Sequence, residues 1–192
     1  VNVISAMERH FRERGWTRTR FEMFFNHKKR YKAFSWDGDE TKFSNDNKYF
    51  VEYGRLLRKA VPKDSPVNFM FRHDASWQLK NQIDELFDVI NMWVMSGGVS
   101  SLYPDSVAKV RKKEGNVLWV YGGASSIFTP IISIIHKPME AWMKGVDGYE
   151  YWLFTNPGGD PWFNCGGCNT GMIFSGEPFG MARPLPCIRL KV

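Results

Sequence analysis

The stretch NVLWVYG, residues 116–122, decides the fold class because it is almost wholly apolar. A strand of this composition is typical of a parallel sheet whose two faces are both covered. The segment before it, residues 103–115, has helical spacing, and Asp105 can cap its start while Gly115 can end it. A helix that leads into a buried strand is part of a βαβ unit, so the chain is predicted to be an α/β protein.

The alternation of helix and strand continues in both directions along the chain. Ser5 and Glu8 have the spacing of a capping box at the start of the first helix. Strands that alternate with helices favour right-handed βαβ units on a parallel sheet. The patterns predict helices at 5–16, 46–60, 103–115 and 130–145, the last broken or offset near Pro138, and extended segments at 20–26, 33–40, 66–71, 87–95, 116–122, 148–154 and 187–192.

The order of these elements predicts one domain, residues 1–192. No glycine-rich phosphate loop opens any of the helices, which disfavours a nucleotide-binding open sheet and favours a (β/α)8 TIM-barrel-like fold. A complete barrel takes about 250 residues. With 192 residues, the chain is expected to form an incomplete barrel made of the C-terminal five or six strands. Unpaired parallel edges associate readily, so another chain or segment is expected to complete the barrel.

Composition excludes some classes of protein. The chain is 43% hydrophobic and 16% aromatic, which is enough for a folded core. Its formal net charge of +6 comes mostly from two runs, residues 27–32 and 110–115. Such runs are typical of solvated faces, so nucleic acid is not an expected partner, although a polyanion site on residues 27–32 stays an alternative. No apolar run reaches about 18 residues, so no membrane span is predicted.

The three cysteines do not indicate a metal centre. Cys165 and Cys168 form a CGGC pair, and Cys187 stands alone. Zinc normally needs four ligands, and no second pair with suitable spacing occurs in the sequence. We therefore expect neither a metal nor a cofactor, and the redox state of the cysteines stays open.

Polar and aromatic residues gather where the predicted strands end. In barrels these ends carry the active site, because the βα loops open on that face. Carboxylates can handle protons and aromatic rings can stack on sugars, so the set is typical of a carbohydrate site. The simpler alternatives are helix-start acids, core tryptophans, and a pairing of Arg72 with Asp74. The candidates are Asp39, Glu40, Arg72, His73, Trp93, Trp119, Tyr121 and Trp152.

Several blocks resemble a known family. The segments FEMFFNHKKRYK, SWDGDET, NVLWVYGG, AWMKGVDGYEYWLF and GEPFGMARPLPCIRLK, between about residues 10 and 191, are similar in order and spacing to blocks of glycoside hydrolase family 123 and its relatives with the domain called DUF4091. The resemblance implies a (β/α)8 barrel that hydrolyses terminal β-linked N-acetylgalactosamine, or another 2-acetamido sugar, and it favours a secreted or extracellular location.

The resemblance also implies a mechanism. Hydrolysis would proceed with retention, and the acetamido oxygen of the substrate would itself attack the anomeric carbon. Asp39 would orient and polarise the acetamido group, and Glu40 would be the general acid and then the general base.

The chain departs from the family pattern at four positions. Thr41 replaces a proline after the acidic pair, Asp37 and Gly38 replace apolar residues before it, and Cys187 replaces a serine. These departures leave Asp37 with Asp39 as an alternative pair. They also leave open a non-catalytic protein, derived from a barrel, that binds carbohydrate or has a structural role.

Overall fold

The computed structural model describes residues 1–77, 79–123, 130–152 and 171–186. It shows a mixed α/β fold with a five-stranded sheet in which the strands follow the order of the chain. The pairs β1 with β2, β2 with β3, and β4 with β5 are parallel. The predicted parallel α/β sheet with five or six strands is therefore confirmed at this level. The strands are β1 (Arg20–Met23), β2 (Asn68–Ala75), β3 (Met92–Ser96), β4 (Val117–Gly123) and β5 (Gly148–Trp152).

Six α-helices in the described parts of the chain precede or separate these strands in sequence. The antiparallel pair of β6 (Ile173–Phe174) and β7 (Leu185–Pro186) follows later in the chain. The chain divides into two compact units, residues 1–118 and 119–192, and a single domain stays a prediction. The helices are α1 (Asn2–Glu13), α2 (Asn47–Ala60), α3 (Leu79–Leu86), α4 (Gly97–Leu102), α5 (Pro104–Lys112) and α6 (Ile132–Met143).

The core of the first unit lies between the helices and one face of the strands. Phe11 of α1 stacks on Phe21 of β1 with ring centroids 3.9 Å apart. Phe50 of α2 is fully buried and lies 6.1 Å from the ring of Phe71 in β2. On β3, Trp93 is also fully buried. Alternate residues of each strand thus face the helices, as the two-residue period of a strand requires.

In the second unit, α6 continues without a break through Pro138, so the predicted break is wrong. Proline has no N–H to donate to the carbonyl four residues before it. Here that carbonyl belongs to Ile134, and the hydroxyl of Tyr151 in β5 donates a hydrogen bond to it. A side chain from the neighbouring strand therefore replaces the missing helical bond, a contact that local sequence does not reveal.

The predicted capping box at the first helix is also wrong. The helix α1 begins at Asn2, so Ser5 lies inside it. The Ser5 hydroxyl donates to the carbonyl of Ala60 at 2.9 Å, and the Glu8 carboxylate accepts from the Ser65 hydroxyl at 2.7 Å. Both side chains thus bind the far end of α2 and the turn that follows it. Tertiary contacts have replaced the local cap.

Three predicted segments differ from the structure near the sheet. Residues 33–40 form a series of bends and no strand. The strand β2 continues to Ala75, so Arg72, His73 and Asp74 lie inside it and do not follow it. The strand β3 begins only at Met92, because the preceding residues form a turn after α3. The helices α3 and α4 were not predicted at all.

The described parts of the chain contain no helix long and apolar enough to span a bilayer. Three parts of the sequence analysis fall outside the described residues. They are the predicted extended segment at residues 187–192, the last two residues of the segment 148–154, and all three cysteines.

Candidate functional site

The loop between β1 and α2, residues 24–46, carries the acidic pair, Asp39 and Glu40. The backbone N–H groups of Gly38 and Asp39 both donate to the carbonyl of His27, at 2.9 and 3.1 Å. A Cβ atom at Gly38 would lie 2.5 Å from the carbonyl oxygen of Phe25, which no ordinary contact allows. The close approach of these two parts of the loop therefore requires glycine at position 38.

Asp37 holds this loop together from inside. It is only 8% exposed, and one of its carboxylate oxygens accepts from the N–H of Lys29 at 2.8 Å. Its own N–H donates to the Asp46 carboxylate at 3.2 Å, and its carbonyl accepts from the Thr41 hydroxyl at 3.0 Å. Asp37 is thus a structural acceptor, which favours Asp39 and Glu40 over the alternative pair of Asp37 and Asp39.

Lys28 brings the two side chains of the acidic pair together. Its Nζ lies 3.2 Å from Oδ2 of Asp39 and 2.6 Å from Oε2 of Glu40. The side chains of Asp39 and Glu40 are 19% and 32% exposed, so both remain accessible. Burial lowers the pKa of Lys28, but the hydrogen bonds and charges of Glu40 and Asp39 outweigh this effect, and the net pKa is raised.

The backbone of Glu40 has an unusual conformation. Its φ angle is +47°, in the left-handed region that costs a non-glycine residue about 1–2 kcal/mol. The surrounding structure fixes this conformation on both sides. Before it, the N–H of Asp39 binds His27, and after it, the side-chain amide of Gln82 donates to the carbonyl of the fully buried Thr41 at 2.8 Å. Strain that is held in this way is common at functional sites.

A group of aromatic rings packs within the loop and against α2. The ring of His27 stacks on Phe34 at 4.0 Å and meets the edge of Trp36 at 4.3 Å. Trp36 in turn stacks on Tyr49 of α2 at 4.8 Å. Burial lowers the pKa of His27, although the charges of Asp37 and Asp39 act in the opposite direction. Phe34 remains half exposed beside this group.

A second set of charged residues lies on the face of β2 that is opposite to the helices. The guanidinium of Arg72 binds both carboxylate oxygens of Asp74, at 2.5 and 2.8 Å, and lies 3.1 Å from Glu22 of β1. It also lies over the ring of Phe24, 4.2 Å from the centroid. The side chains of Arg72 and Asp74 are only 10% and 8% exposed. The alternative that Arg72 pairs with Asp74 is confirmed.

His73 points to the other face of β2, towards the helices. It is fully buried, with its ring edge-on to Phe50 at 4.5 Å and to Trp93 at 5.8 Å. Burial lowers its pKa to about 4, and the side chain of Gln82 offsets this slightly. Neither ring nitrogen has a hydrogen-bond partner of ordinary geometry among the described residues. His73 therefore does not join Arg72, Asp39 or Glu40, since it lies in the core.

The four aromatic candidates differ in exposure. Trp93 is fully buried and shares the helix-facing side with His73, its register partner in β2. In the second unit, Trp119 lies against its register partner Gly148, where an added Cβ would be 2.7 Å from the indole nitrogen. Tyr121 is partly buried on the same face of β4 as Trp119. Trp152 is 60% exposed at the end of β5.

Sequence reasoning missed Lys28 and His27 as members of the site. The signal was present in the run of residues 27–32, which carries positive charge in the loop after β1 and begins ten residues before the acidic run. Runs of opposite charge within one loop are expected to pair. Lys28 and Lys29 do so, the second with Asp46 at 2.7 Å. These pairings count against the alternative of a polyanion site on this run.

The described residues contain no group of three or more histidine, cysteine, aspartate or glutamate side chains that could hold a metal ion. No family model matches the sequence. No curated protein matches it with significant similarity either.

Proposed function

We propose that this chain is a glycoside hydrolase-like protein that acts on terminal β-linked N-acetylgalactosamine or another 2-acetamido sugar. One observation carries the proposal. Two adjacent, accessible carboxylates, Asp39 and Glu40, meet at one lysine in the loop that follows a parallel strand. The loops after parallel strands are the usual place for active sites in α/β proteins. The finer assignment to a TIM-barrel-like fold is part of this proposal.

The proposed reaction has two steps. In the first, the acetamido oxygen of the substrate bonds to the anomeric carbon while the glycosidic bond breaks, and Glu40 gives its proton to the leaving oxygen. In the second, water attacks the anomeric carbon, gives a proton to Glu40, and releases the acetamido oxygen. Asp39 binds the acetamido N–H and stabilises the positive charge that develops on the ring formed in between. No protein nucleophile is needed in this scheme, an exception that the two-carboxylate rule allows.

The separation of the two carboxylates supports retention. The distances from Lys28 Nζ to the two oxygens, 3.2 and 2.6 Å, bound the separation of those oxygens. The two oxygens are therefore closer than about 6.5 Å, the smallest separation of the two carboxyl groups in inverting glycosidases. In those enzymes the two groups must leave room for a water molecule between them. A pair this close has no room for a water held between the two carboxylates, which counts against an inverting mechanism in which Asp39 is the base.

A second candidate function is carbohydrate binding without catalysis. The exposed ring of Trp152 favours it, since a ring that is 60% exposed can stack on the apolar face of a sugar. The ion pairs of Lys28 with both carboxylates are also compatible with a purely structural loop. Calorimetry with N-acetylgalactosamine that shows binding, together with an assay that shows no release of reducing sugar, would favour this candidate.

The proposal is tested with two aryl glycosides. We expect the intact protein to hydrolyse para-nitrophenyl N-acetyl-β-galactosaminide and not para-nitrophenyl β-galactoside, because only the first carries the internal nucleophile. In Asp39→Asn, kcat is expected to fall by about 100-fold or more, since the charge that stabilises the intermediate is lost. Equal turnover of the two glycosides, or none of either, would contradict the proposal.

A further inference from the structure

We propose that Lys28 is a positioning residue of the acidic pair, which holds the Asp39 and Glu40 carboxylates side by side and sets the pH range in which they work. The kinetic part of this inference rests on the proposed function, whereas its electrostatic part does not. Lys28 belongs to the basic run of residues 27–32, which the proposed reaction does not use.

The geometry places Lys28 between its partners. Its side chain is only 15% exposed, less than that of Asp39 or Glu40. The contact to Glu40 Oε2, 2.6 Å, is that of a short charge-assisted hydrogen bond, and the contact to Asp39 Oδ2 is 3.2 Å. The base of the side chain is fixed as well, because the carbonyl of the preceding residue, His27, accepts both loop N–H bonds. The ammonium group therefore has a defined place from which to orient both carboxylates.

The charge of Lys28 offsets the repulsion between two adjacent carboxylates. Other charged or titratable groups act on the same pair from the loop itself, namely His27, Arg30 and Asp37. His27 is held towards its neutral form by burial, which lowers its pKa, and Arg30 is exposed, so screening by solvent weakens its effect. Asp37 adds negative charge. Lys28, by contrast, is a part-buried cation in contact with both acids of the pair.

The test replaces Lys28 by methionine and by arginine. In Lys28→Met, we expect the basic limb of the pH profile of kcat/KM to move upward by about one pH unit, because the ionised Glu40 carboxylate, the general acid of the proposed reaction, loses a contacting cation. We also expect kcat to fall about tenfold with little change in KM, because the carboxylates lose their alignment. Lys28→Arg keeps the charge and should restore the position of this limb. Lys63→Met removes an exposed lysine outside the loop and should leave the profile unchanged.

A readout without substrate separates this inference from the proposed function. The carboxyl carbon of Glu40, the closer partner of Lys28, is titrated by NMR in the intact wild-type chain and in the Lys28 variants. Upward movement of its titration midpoint in Lys28→Met, reversed in Lys28→Arg, would support the inference even if the wild type hydrolysed no glycoside. A midpoint that stays within about 0.2 units in Lys28→Met would overturn it, whether or not the protein is an enzyme, since a contacting cation normally shifts it by one unit or more. If Lys28→Met does not fold, an unchanged midpoint in Lys28→Gln would overturn it equally.

Discussion

Two regions of the first unit carry paired charges, but the structure uses them differently. Arg72 and Asp74 lie within β2 and are almost fully buried, with two hydrogen bonds between them. Asp39, Glu40 and Lys28 lie in the loop after β1, where the carboxylates remain accessible. The difference teaches that burial separates two kinds of charge. A buried pair strongly affects stability once it is broken, whereas a partly exposed pair contributes less to stability and can be reached by a ligand.

The largest effect on stability is expected from Arg72→Met. This change leaves the Asp74 carboxylate buried without its bidentate partner, which should lower the free energy of unfolding by about 3–5 kcal/mol. Urea denaturation followed by circular dichroism measures the change. Arg55→Met is the matched control, because Arg55 pairs with Glu52 on the surface of α2 and should change the midpoint little. Equal midpoints for the two variants would contradict the contrast between the two regions.

The next effect concerns pH. Burial lowers the pKa of His73 from 6.5 to about 4. As the pH falls, this histidine is protonated at a higher pH in the unfolded chain than in the folded one. The contribution of neutral His73 to the free energy of unfolding is therefore complete above pH 6.5 and is lost between pH 6.5 and 4. The loss from this residue is about 3 kcal/mol, since one pKa unit corresponds to about 1.4 kcal/mol.

Urea denaturation of wild type and of His73→Gln across this pH range measures the effect. The variant should show a smaller dependence on pH, while His136→Gln, which changes an exposed histidine of α6, should keep the dependence of the wild type. A wild type whose stability is the same at pH 7 and pH 4.5 would mean that His73 is not buried in its neutral form.

A smaller loss of stability is expected from Gly38→Ala. The added methyl group would lie 2.5 Å from the Phe25 carbonyl oxygen and 2.7 Å from Cε1 of His27, so the loop must move. Overpacking of this kind costs about 1–3 kcal/mol. It should also displace the neighbouring Asp39 and reduce any turnover. Gly98→Ala in α4, where an added methyl group meets nothing within 4 Å, is the matched control and should be neutral or slightly stabilising. If Gly38→Ala were as stable as Gly98→Ala, the close approach of Gly38 to the Phe25 carbonyl would be contradicted.

The smallest effect is expected from Lys28→Met. Removing Lys28 breaks two part-buried ion pairs but also removes the cost of burying its ammonium group, so the free energy of unfolding should fall by only about 1 kcal/mol. Thermal melts of Lys28→Met and Arg72→Met at the same pH compare the two regions directly. A larger destabilisation in Lys28→Met than in Arg72→Met would reverse the roles that we assign to them.

Much of the fold could be predicted because the spacing of apolar residues along the sequence indicates which face of a helix or strand is buried. The apolar run at residues 116–122 corresponds to β4, and the spacing of apolar residues in 46–60 corresponds to α2. The helix α4 could not be predicted in this way, since it begins with two glycines and is capped by the side chain of Ser96, which accepts from the N–H of Val99. The unbroken α6 depends on Tyr151, which lies on a strand beyond the helix. Such tertiary contacts leave no local signal.

The candidate site shows the same limit. The acidic pair was predicted at the end of an extended segment, residues 33–40, whereas the structure has no strand there and places the pair in the loop that follows β1. The end of β2 was predicted too early, because its apolar run stops four residues before the strand ends. Arg72 and Asp74 were therefore expected at an accessible strand end, and they lie inside the strand as a buried pair. The partner of the acidic pair, Lys28, could be recognised only from charge complementarity within one loop.

The central claim is that Glu40 carries the proton transfers of a glycosidase, and the value of kcat/KM for Glu40→Gln tests it most directly. The substrate is para-nitrophenyl N-acetyl-β-galactosaminide, and Glu52→Gln on the surface of α2 is the control. The account predicts that Glu40→Gln loses at least about 100-fold in kcat/KM, as expected for removal of a general acid and base, while Glu52→Gln equals the wild type. A Glu40→Gln protein that retains the activity of the wild type would contradict the account.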